Sequence, residues 1–347
     1  LVKRLIPLGK ALFEPAFVYR KNYDFYLLDR RRPTFYKNKH ETSLYRVKFP
    51  FVLEKEKTLI GFGFEGSYEN WDGSLKNGRL KKEFLRREYS LFSFVKPVIS
   101  DRIYPSFQLR YDFHPQEKDF LSLGAGLSYL FSPKMKYRIS FNHSYRLPSA
   151  TELYYDSFGI KGNPNLSSEK AINIETGLDV FLERQTFSFT LFYRKGWNLI
   201  DWIYNGSGTV AENLNLKTVG LTIDYRQVYK NLNFLLSYTY LNLFGENIDS
   251  ARYHGNYLRH NFSTGIEVKL PYKSELFCFL NYQKRYGQDG VYLLDLEIKK
   301  EVFKDFRLSV WGKNLLDESY YEIRYPEAKK GVLGPPQWIG VRLEGGW

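Results

Sequence analysis

Along most of the chain, apolar and polar residues alternate one by one. In DFLSLGAGLSYLF (119–131), Leu121, Leu123, Ala125, Leu127, Tyr129 and Phe131 share one face, and Ser122, Gly124, Gly126 and Ser128 occupy the other. In YRISFNHSYR (137–146), Tyr137, Ile139, Phe141 and Tyr145 oppose Arg138, Ser140, Asn142, Ser144 and Arg146. Phe187, Phe189, Leu191 and Tyr193 form another apolar file, as do Leu232, Phe234, Leu236, Tyr238 and Tyr240. The last nine residues, IGVRLEGGW, place Ile339, Val341, Leu343 and Trp347 opposite Gly340, Arg342, Glu344 and Gly346. A period of two is the mark of a strand with one apolar and one polar face. A helical period is hard to find, so the chain is expected to be β almost end to end.

Sixteen strands are predicted, near 11–21, 42–53, 57–69, 87–98, 103–114, 119–131, 135–146, 169–182, 186–203, 215–229, 232–245, 257–270, 274–286, 290–302, 305–315 and 337–347. Many exceed the usual length of about 5–6 residues and match the ~9–11 that a tilted strand needs to cross a bilayer. Tight turns fall at 54–57, 99–103, 132–135, 183–185, 229–231, 271–274 and 302–305. Between them lie longer links at 22–41, 70–86, 147–168, 204–214, 246–256 and 316–336, with short ones at 115–118 and 287–289. Short turns at one rim and long loops at the other predict an antiparallel transmembrane β-barrel, apolar face to lipid and polar face to the lumen. Closure removes the edges that lipid does not tolerate. Residues 1–10 suggest the tail of one strand, a turn and the start of the next. With neither initiator Met nor leader, the chain is expected to begin part-way through its barrel.

Composition sharpens this picture. The 29 Tyr, 28 Phe and 6 Trp amount to 18% of residues, and such rings collect in strands and at membrane interfaces. One Cys (Cys278) and one Met (Met135) exclude an intrachain disulfide and a cysteine metal site. No apolar run of ~18 residues exists, so no spanning helix is expected; a negative mean hydropathy does not count against spanning strands. Lys and Arg exceed Asp and Glu by 51 − 38 = 13, which suits either an anionic partner or a soluble surface. No basic run interleaved with aromatics points to nucleic acid. His40, His114, His143, His254 and His260 lack metal-ligand spacing, His254 and His260 coming nearest to a metal or haem pair. Neither a Ser–His–Asp arrangement nor paired carboxylates suggest an enzyme, and Cys278 is most simply a small apolar residue.

The stretch SYRLPSATELYYDSFGIKGNPNLSSEKAINIETGLDV (144–180) resembles the signature of TonB-dependent outer-membrane receptors. The matching positions are Arg146, Pro148, Glu152, Leu153, Tyr154, Gly162, Asn163, Pro164, Asn165, Leu166, Glu169 and Lys170. GKNLLDESYYEIRYP (312–326) resembles the family's penultimate-strand motif through Asn314, Leu315, Asp317, Tyr320 and Tyr321. The aromatic Trp347 resembles the terminal signal that outer-membrane proteins offer to the barrel assembly machinery, and RKNYDFYLLDRRRP (20–33) a mid-barrel outer loop.

The resemblance implies that 1–347 is one domain, the C-terminal portion of a barrel of about 22 strands, with the plug and early strands upstream. It implies an outer-membrane receptor in contact with lipid and lipopolysaccharide. Such a receptor binds a scarce nutrient and imports it with energy from the TonB complex, reached through the missing N-terminal region. Ferric siderophores and cobalamin are the candidate nutrients, with a slight lean to cobalamin; iron or cobalt would enter as cargo and no resident cofactor is implied. Tyr154, Tyr155 and Phe158 in one long link, and Tyr320, Tyr321, Arg324 and Tyr325 in another, are the candidate ligand contacts, since loops on a rigid scaffold carry binding groups. GNPNL and the pair Asn314 and Asp317 are expected to shape turns. Arg138 and Arg146 are expected to face the lumen, paired with wall carboxylates. A passive sixteen-stranded porin is the alternative.

Overall fold

The computed structural model describes residues 2–75, 80–115, 117–303, 305–326 and 331–345, and side chains within these except at 74, 75 and 80–82. Trp347 lies outside the described residues. Among the described residues, sixteen strands of eight residues or more correspond one for one to those predicted, and seven short strands accompany them. Among the described residues one helix, Ala150–Tyr154, and two single 3₁₀ turns complete the regular structure. None is long and apolar enough to cross a membrane, which leaves crossing by strands open.

Contacts divide the chain into two compact units. The first comprises Leu1–Tyr129, Ile139–Ile174 and Lys195–Asn215. Its strands Ala16–Leu27, Lys37–Lys55, Thr58–Leu75, Leu80–Pro97, Ile103–Phe113 and Phe120–Ser132 pair in sequence as an antiparallel meander. The opening residues form the expected hairpin: Ile6–Leu8 pairs with Ala11–Phe13 around Gly9, whose φ of 64° favours glycine. Register aligns Phe49, Phe64, Leu91, Tyr111 and Leu121 in one row across five strands. The adjacent row, facing the other way, runs Lys48, Glu65, Ser90 and Asp112.

The second unit comprises Leu130–Arg138, Glu175–Arg194 and Leu216–Trp347. Leu232–Gly245, Leu258–Leu270, Ser274–Arg285, Gly290–Phe303, Phe306–Lys313 and Trp338–Gly345 pair there in sequence, all antiparallel. Leu232, Val268, Leu276, Ile298, Val310 and Val341 form one apolar row, and Lys269, Glu275, Lys299, Ser309 and Arg342 the neighbouring polar one.

Burial inverts the soluble pattern. Leu91, Phe62 and Val341 are 62%, 53% and 68% exposed, whereas Asp112, Ser90 and Ser309 are 1–2% exposed. Apolar residues outward and polar residues inward stabilise a sheet only where the outer medium is itself apolar. The tight turns fall where the alternation placed them, with Glu56, Lys230, Tyr272, Lys273 and Asp305 at positive φ. Three links differ from expectation: 22–41, 70–86 and 204–214 are largely strand, leaving 28–36 and 205–208 between strands in the first and third. Strands of 19 and 18 residues there exceed the ~9–11 needed for the bilayer. Their distal halves are polar on both faces, so hydrophobic alternation does not announce them, while ladder hydrogen bonds still satisfy the backbone.

Candidate functional site

In the first unit, three charged motif residues hold the link between Met135–Arg146 and Glu169–Phe181. Arg146, the last residue of its strand, donates from Nε and Nη2 to Glu169 at 2.8 and 2.6 Å, and from Nη1 and Nη2 to Glu152, both at 2.9 Å. Two bidentate pairs on one guanidinium use the planar fork that Lys lacks. Glu152 lies in the helix Ala150–Tyr154, where Ser149 and Glu152 form a capping box: Ser149 N donates to Glu152 Oε2 at 2.7 Å, and Glu152 N to Ser149 Oγ at 3.3 Å. Burial pushes the Glu152 carboxyl up, but hydrogen bonds from Arg146 and Ser149 outweigh it and hold the group below the usual carboxylate range. Ile200 N donates to Glu169 at 2.8 Å.

GNPNL docks on this helix. A Cβ on Gly162 would sit 2.7 Å from Glu152 O, so only glycine allows the approach. Asn163 N donates to Glu152 O at 2.9 Å, and Asn163 Oδ1 accepts from Asn165 N at 3.0 Å, an Asx turn beside Pro164. Leu147 and Leu153 are buried beneath. The structure thus gathers Arg146, Pro148, Glu152, Leu153 and the 162–166 turn into one scaffold, with Glu169 as its foot.

Against this scaffold lies a cavity of about 650 Å³, lined by Phe84, Arg86, His114, Phe120, Tyr154 and Lys170 among others. The Lys170 ammonium sits 5.6 Å from the Phe120 ring centre, and Arg86 donates to Pro148 O. The three aromatic candidates of this link go to different partners. Tyr154 packs 6.0 Å from Phe84, Tyr155 6.1 Å from Trp202, and Phe158 4.5 Å from Tyr36. Tyr154 lines the cavity; Tyr155 and Phe158 do not.

A polar cluster that the sequence did not reveal continues from His114. Tyr145 and His114 Nε2 are 3.0 Å apart, and Glu88 lies 3.7 Å from that nitrogen. Arg110 donates to Asp112 at 2.7 Å, Glu88 at 3.1 Å and Ser90 at 2.6 Å. Lys48 and Arg46 reach Glu65 at 2.8 and 3.2 Å. Its members span residues 46 to 145 and meet only through strand register, so no local motif exposes them.

In the second unit, Arg138 pairs with Glu175 at 2.7 Å and Asp179 at 3.3 Å, as expected of a wall residue. Asn314, buried and at φ 48°, donates to Glu318 O at 2.9 Å and Pro335 O at 3.1 Å, and accepts from Glu318 N at 3.1 Å. Asp317 N donates to Asn314 O at 2.9 Å, with Asp317 at φ 54°. Both therefore shape the turn that launches the link. Within it, Tyr321–Arg324 pairs with Gly331–Leu333, the Arg324 guanidinium lies 5.7 Å from the Tyr321 ring, and Arg252 lies 4.2 Å from the Tyr325 ring. Tyr320 packs against Gly334, where a Cβ would meet its ring. Among the described residues no group of three or more His, Cys, Asp or Glu could hold a metal. His260 Nδ1 is 2.9 Å from the Tyr238 hydroxyl.

The model of the TonB dependent receptor-like beta-barrel matches residues 13–315. The chain belongs to the TonB-dependent receptor family. Its fold is accordingly that of an antiparallel transmembrane β-barrel of the outer membrane, in a family of receptors and transporters rather than enzymes. Solved structures agree on the fold. A mutant of the ferric enterobactin receptor PfeA from Pseudomonas aeruginosa superposes with a TM-score of 0.78 at 15% identity, covering 99% of this chain and 60% of that one. The copper transporter OprC gives 0.78 at 12%, covering 96% and 62%. The siderophore receptor PirA from Pseudomonas aeruginosa gives 0.73 at 11%, covering 99% and 63%. The chain thus spans about 60% of the length of the first of these.

For the receptor, the geometry separates two kinds of group. Arg146, Arg138, Asn314 and Asp317 are engaged in internal bonds and build the frame. Phe84, Phe120, Tyr154 and Lys170 line open space, while Arg86, which lines it too, is held by Pro148 O and Glu117.

Proposed function

We propose that this receptor binds a scarce, metal-bearing nutrient at its long connections and imports it with energy from the TonB complex. An anionic ferric siderophore is the leading ligand class, ahead of cobalamin. The observation that carries this reading is the cavity beside the motif scaffold, whose lining brings the rings Phe84, Phe120 and Tyr154 together with the cations Arg87, Lys118 and Lys170, against the carboxylates Glu117 and Asp119. The proposed contacts are Tyr154 there, Tyr155 and Phe158 on the same link, and Tyr320, Tyr321, Arg324 and Tyr325 on the link 316–336. The names of PfeA and PirA as ferric enterobactin and siderophore receptors support the ligand class. Outer-leaflet lipid and lipopolysaccharide, together with the barrel assembly machinery, complete the proposed partners.

The test is uptake by cells expressing the receptor as encoded, offered radiolabelled ferric enterobactin, cobalamin or copper ion, with TonB intact or deleted. Energy-dependent iron accumulation that vanishes without TonB is expected. Uptake of small solutes indifferent to TonB would instead establish the passive channel, and cobalamin uptake alone would overturn the siderophore preference.

A further inference from the structure

Asn256 is a buried polar residue in the link 246–257 that no motif announces. Its side chain behaves as a piece of backbone. Oδ1 accepts from Arg324 N at 2.8 Å while Nδ2 donates to Arg324 O at 2.9 Å, so the amide pairs with Arg324 as a strand neighbour would. Nδ2 also donates to Arg252 O at 2.7 Å, inside its own link. The carbonyl of Asn256 accepts from Arg285 Nη1 at 2.9 Å, and Gln288 Nε2 approaches Oδ1 at 3.5 Å. One residue therefore ties together three connections of the second unit: 246–257, 286–289 and 316–336.

The neighbourhood is built to hold it. Ala251 is 1% exposed, and a Cβ on Gly255 would lie 2.6 Å from Ile248 O, so the two 3₁₀ turns close tightly around it. Tyr257 and Tyr286 stack at 5.2 Å where the links leave their strands. The outcome is a cation–ring face: Arg252 against Tyr325, and Arg324 against Tyr321, on two links that share no covalent connection shorter than the strands between them.

We propose that Asn256 is a positioning residue that locks the link 316–336 onto the link 246–257 and so presents Arg252, Tyr321, Arg324 and Tyr325 as a preformed ligand face. The ligand half of this inference rests on the transport reading above; the locking half does not. Pre-ordering these side chains removes an entropic cost that each binding event would otherwise carry. Asparagine is required because the task needs a donor and an acceptor on one flat group. Aspartate keeps the acceptor and lacks the donors, and alanine lacks both.

The experiment compares the receptor as encoded with Asn256→Ala and Asn256→Asp, in detergent. Hydrogen exchange is read at the amides 321–324, with Ser274–Arg285 as the internal control for an intact barrel. Exchange at Arg324 is expected to rise by roughly tenfold in Asn256→Ala, the scale of one or two lost buried hydrogen bonds, and by less in Asn256→Asp, with the control strand unchanged. Unchanged exchange at 321–324 overturns the lock. For the ligand half, the half-saturation concentration for ferric enterobactin uptake is expected to rise in Asn256→Ala while the maximal rate holds. If exchange rises but uptake is identical to wild type, the ligand face is overturned and the transport reading stands. If wild type itself imports no ferric enterobactin, the siderophore reading fails, and the lock is still decided by exchange.

Discussion

The Arg146 guanidinium spends its donors on two carboxylates, Glu152 and Glu169, both more buried than itself. Removing it leaves two acceptors without their charge partner. Charge-assisted bonds of this kind contribute ~1.5–3 kcal/mol each when buried, but Arg146 keeps 44% of its side chain exposed. Discounted for that solvent screening, Arg146→Ala is expected to loosen the docking of the link 147–168 by about 1–3 kcal/mol. Limited proteolysis within 155–162 measures it: cleavage should accelerate in the variant, and an unchanged rate would show the cluster to be ornamental. The same cluster has a pH signature. Because the Glu152 carboxyl is held below its ordinary value, its contribution is fully present above the ordinary carboxylate pKa of ~4.3 and is lost as pH falls through the lower folded value. The link should thus stay docked from neutral pH to about 5 and loosen only below about 4, with Arg146→Ala weakening the transition and the Ser149 bonds to Glu152 keeping the remainder.

An element such as Phe120–Ser132 is decided by its two faces. Leu123 is exposed on the apolar face and lies opposite Leu109, while Ser128 faces the other way, opposite Tyr104. Leu123→Arg places a charge in lipid and should destabilise the folded receptor by ~2–4 kcal/mol if it sits near mid-bilayer. Ser128→Arg should be mild. Urea-induced unfolding in liposomes distinguishes the two, and equal losses would deny that the apolar face meets lipid. Ser122, on the same polar face, is a poorer control because it lies opposite Arg110. Strand existence, facing and tight turns were legible in the sequence because period-two alternation records one lipid face and one wet face. The extensions of Lys37–Lys55 and Thr58–Leu75 were not, since beyond lipid both faces are polar and the alternation falls silent. The motif scaffold was legible as a signature, and its pairing of Arg146 with carboxylates followed from wall chemistry. The Arg110 cluster and the Asn256 lock were hidden because their long-range partners lie 20 to 68 positions apart in sequence and meet only after register and loop docking are set.

At the scale of the whole molecule, assembly and ligand binding make separable demands. The last described strand, Trp338–Gly345, pairs residue for residue with Phe306–Lys313, and its outward side chains Ile339, Val341 and Leu343 are each more than 60% exposed. Such a strand gains little from burial inside the protein; it is stabilised by lipid on one side and by ladder bonds along its edge. Until both are in place it is an apolar, unpaired segment prone to aggregation. A terminal aromatic that speeds delivery into the bilayer therefore acts on the amount of folded receptor and not on its binding surface. Deletion of Trp347 is expected to lower the quantity of heat-modifiable receptor in the outer membrane several-fold. The fraction that does assemble should retain the ferric enterobactin affinity of the parent, because the proposed contacts at Tyr154 and Tyr321 lie on other links. Quantitative blotting of membrane fractions gives the first quantity and ligand titration of the purified remainder the second. Normal membrane levels would remove Trp347 from assembly. A normal level with weakened affinity would relocate the residue to the binding path.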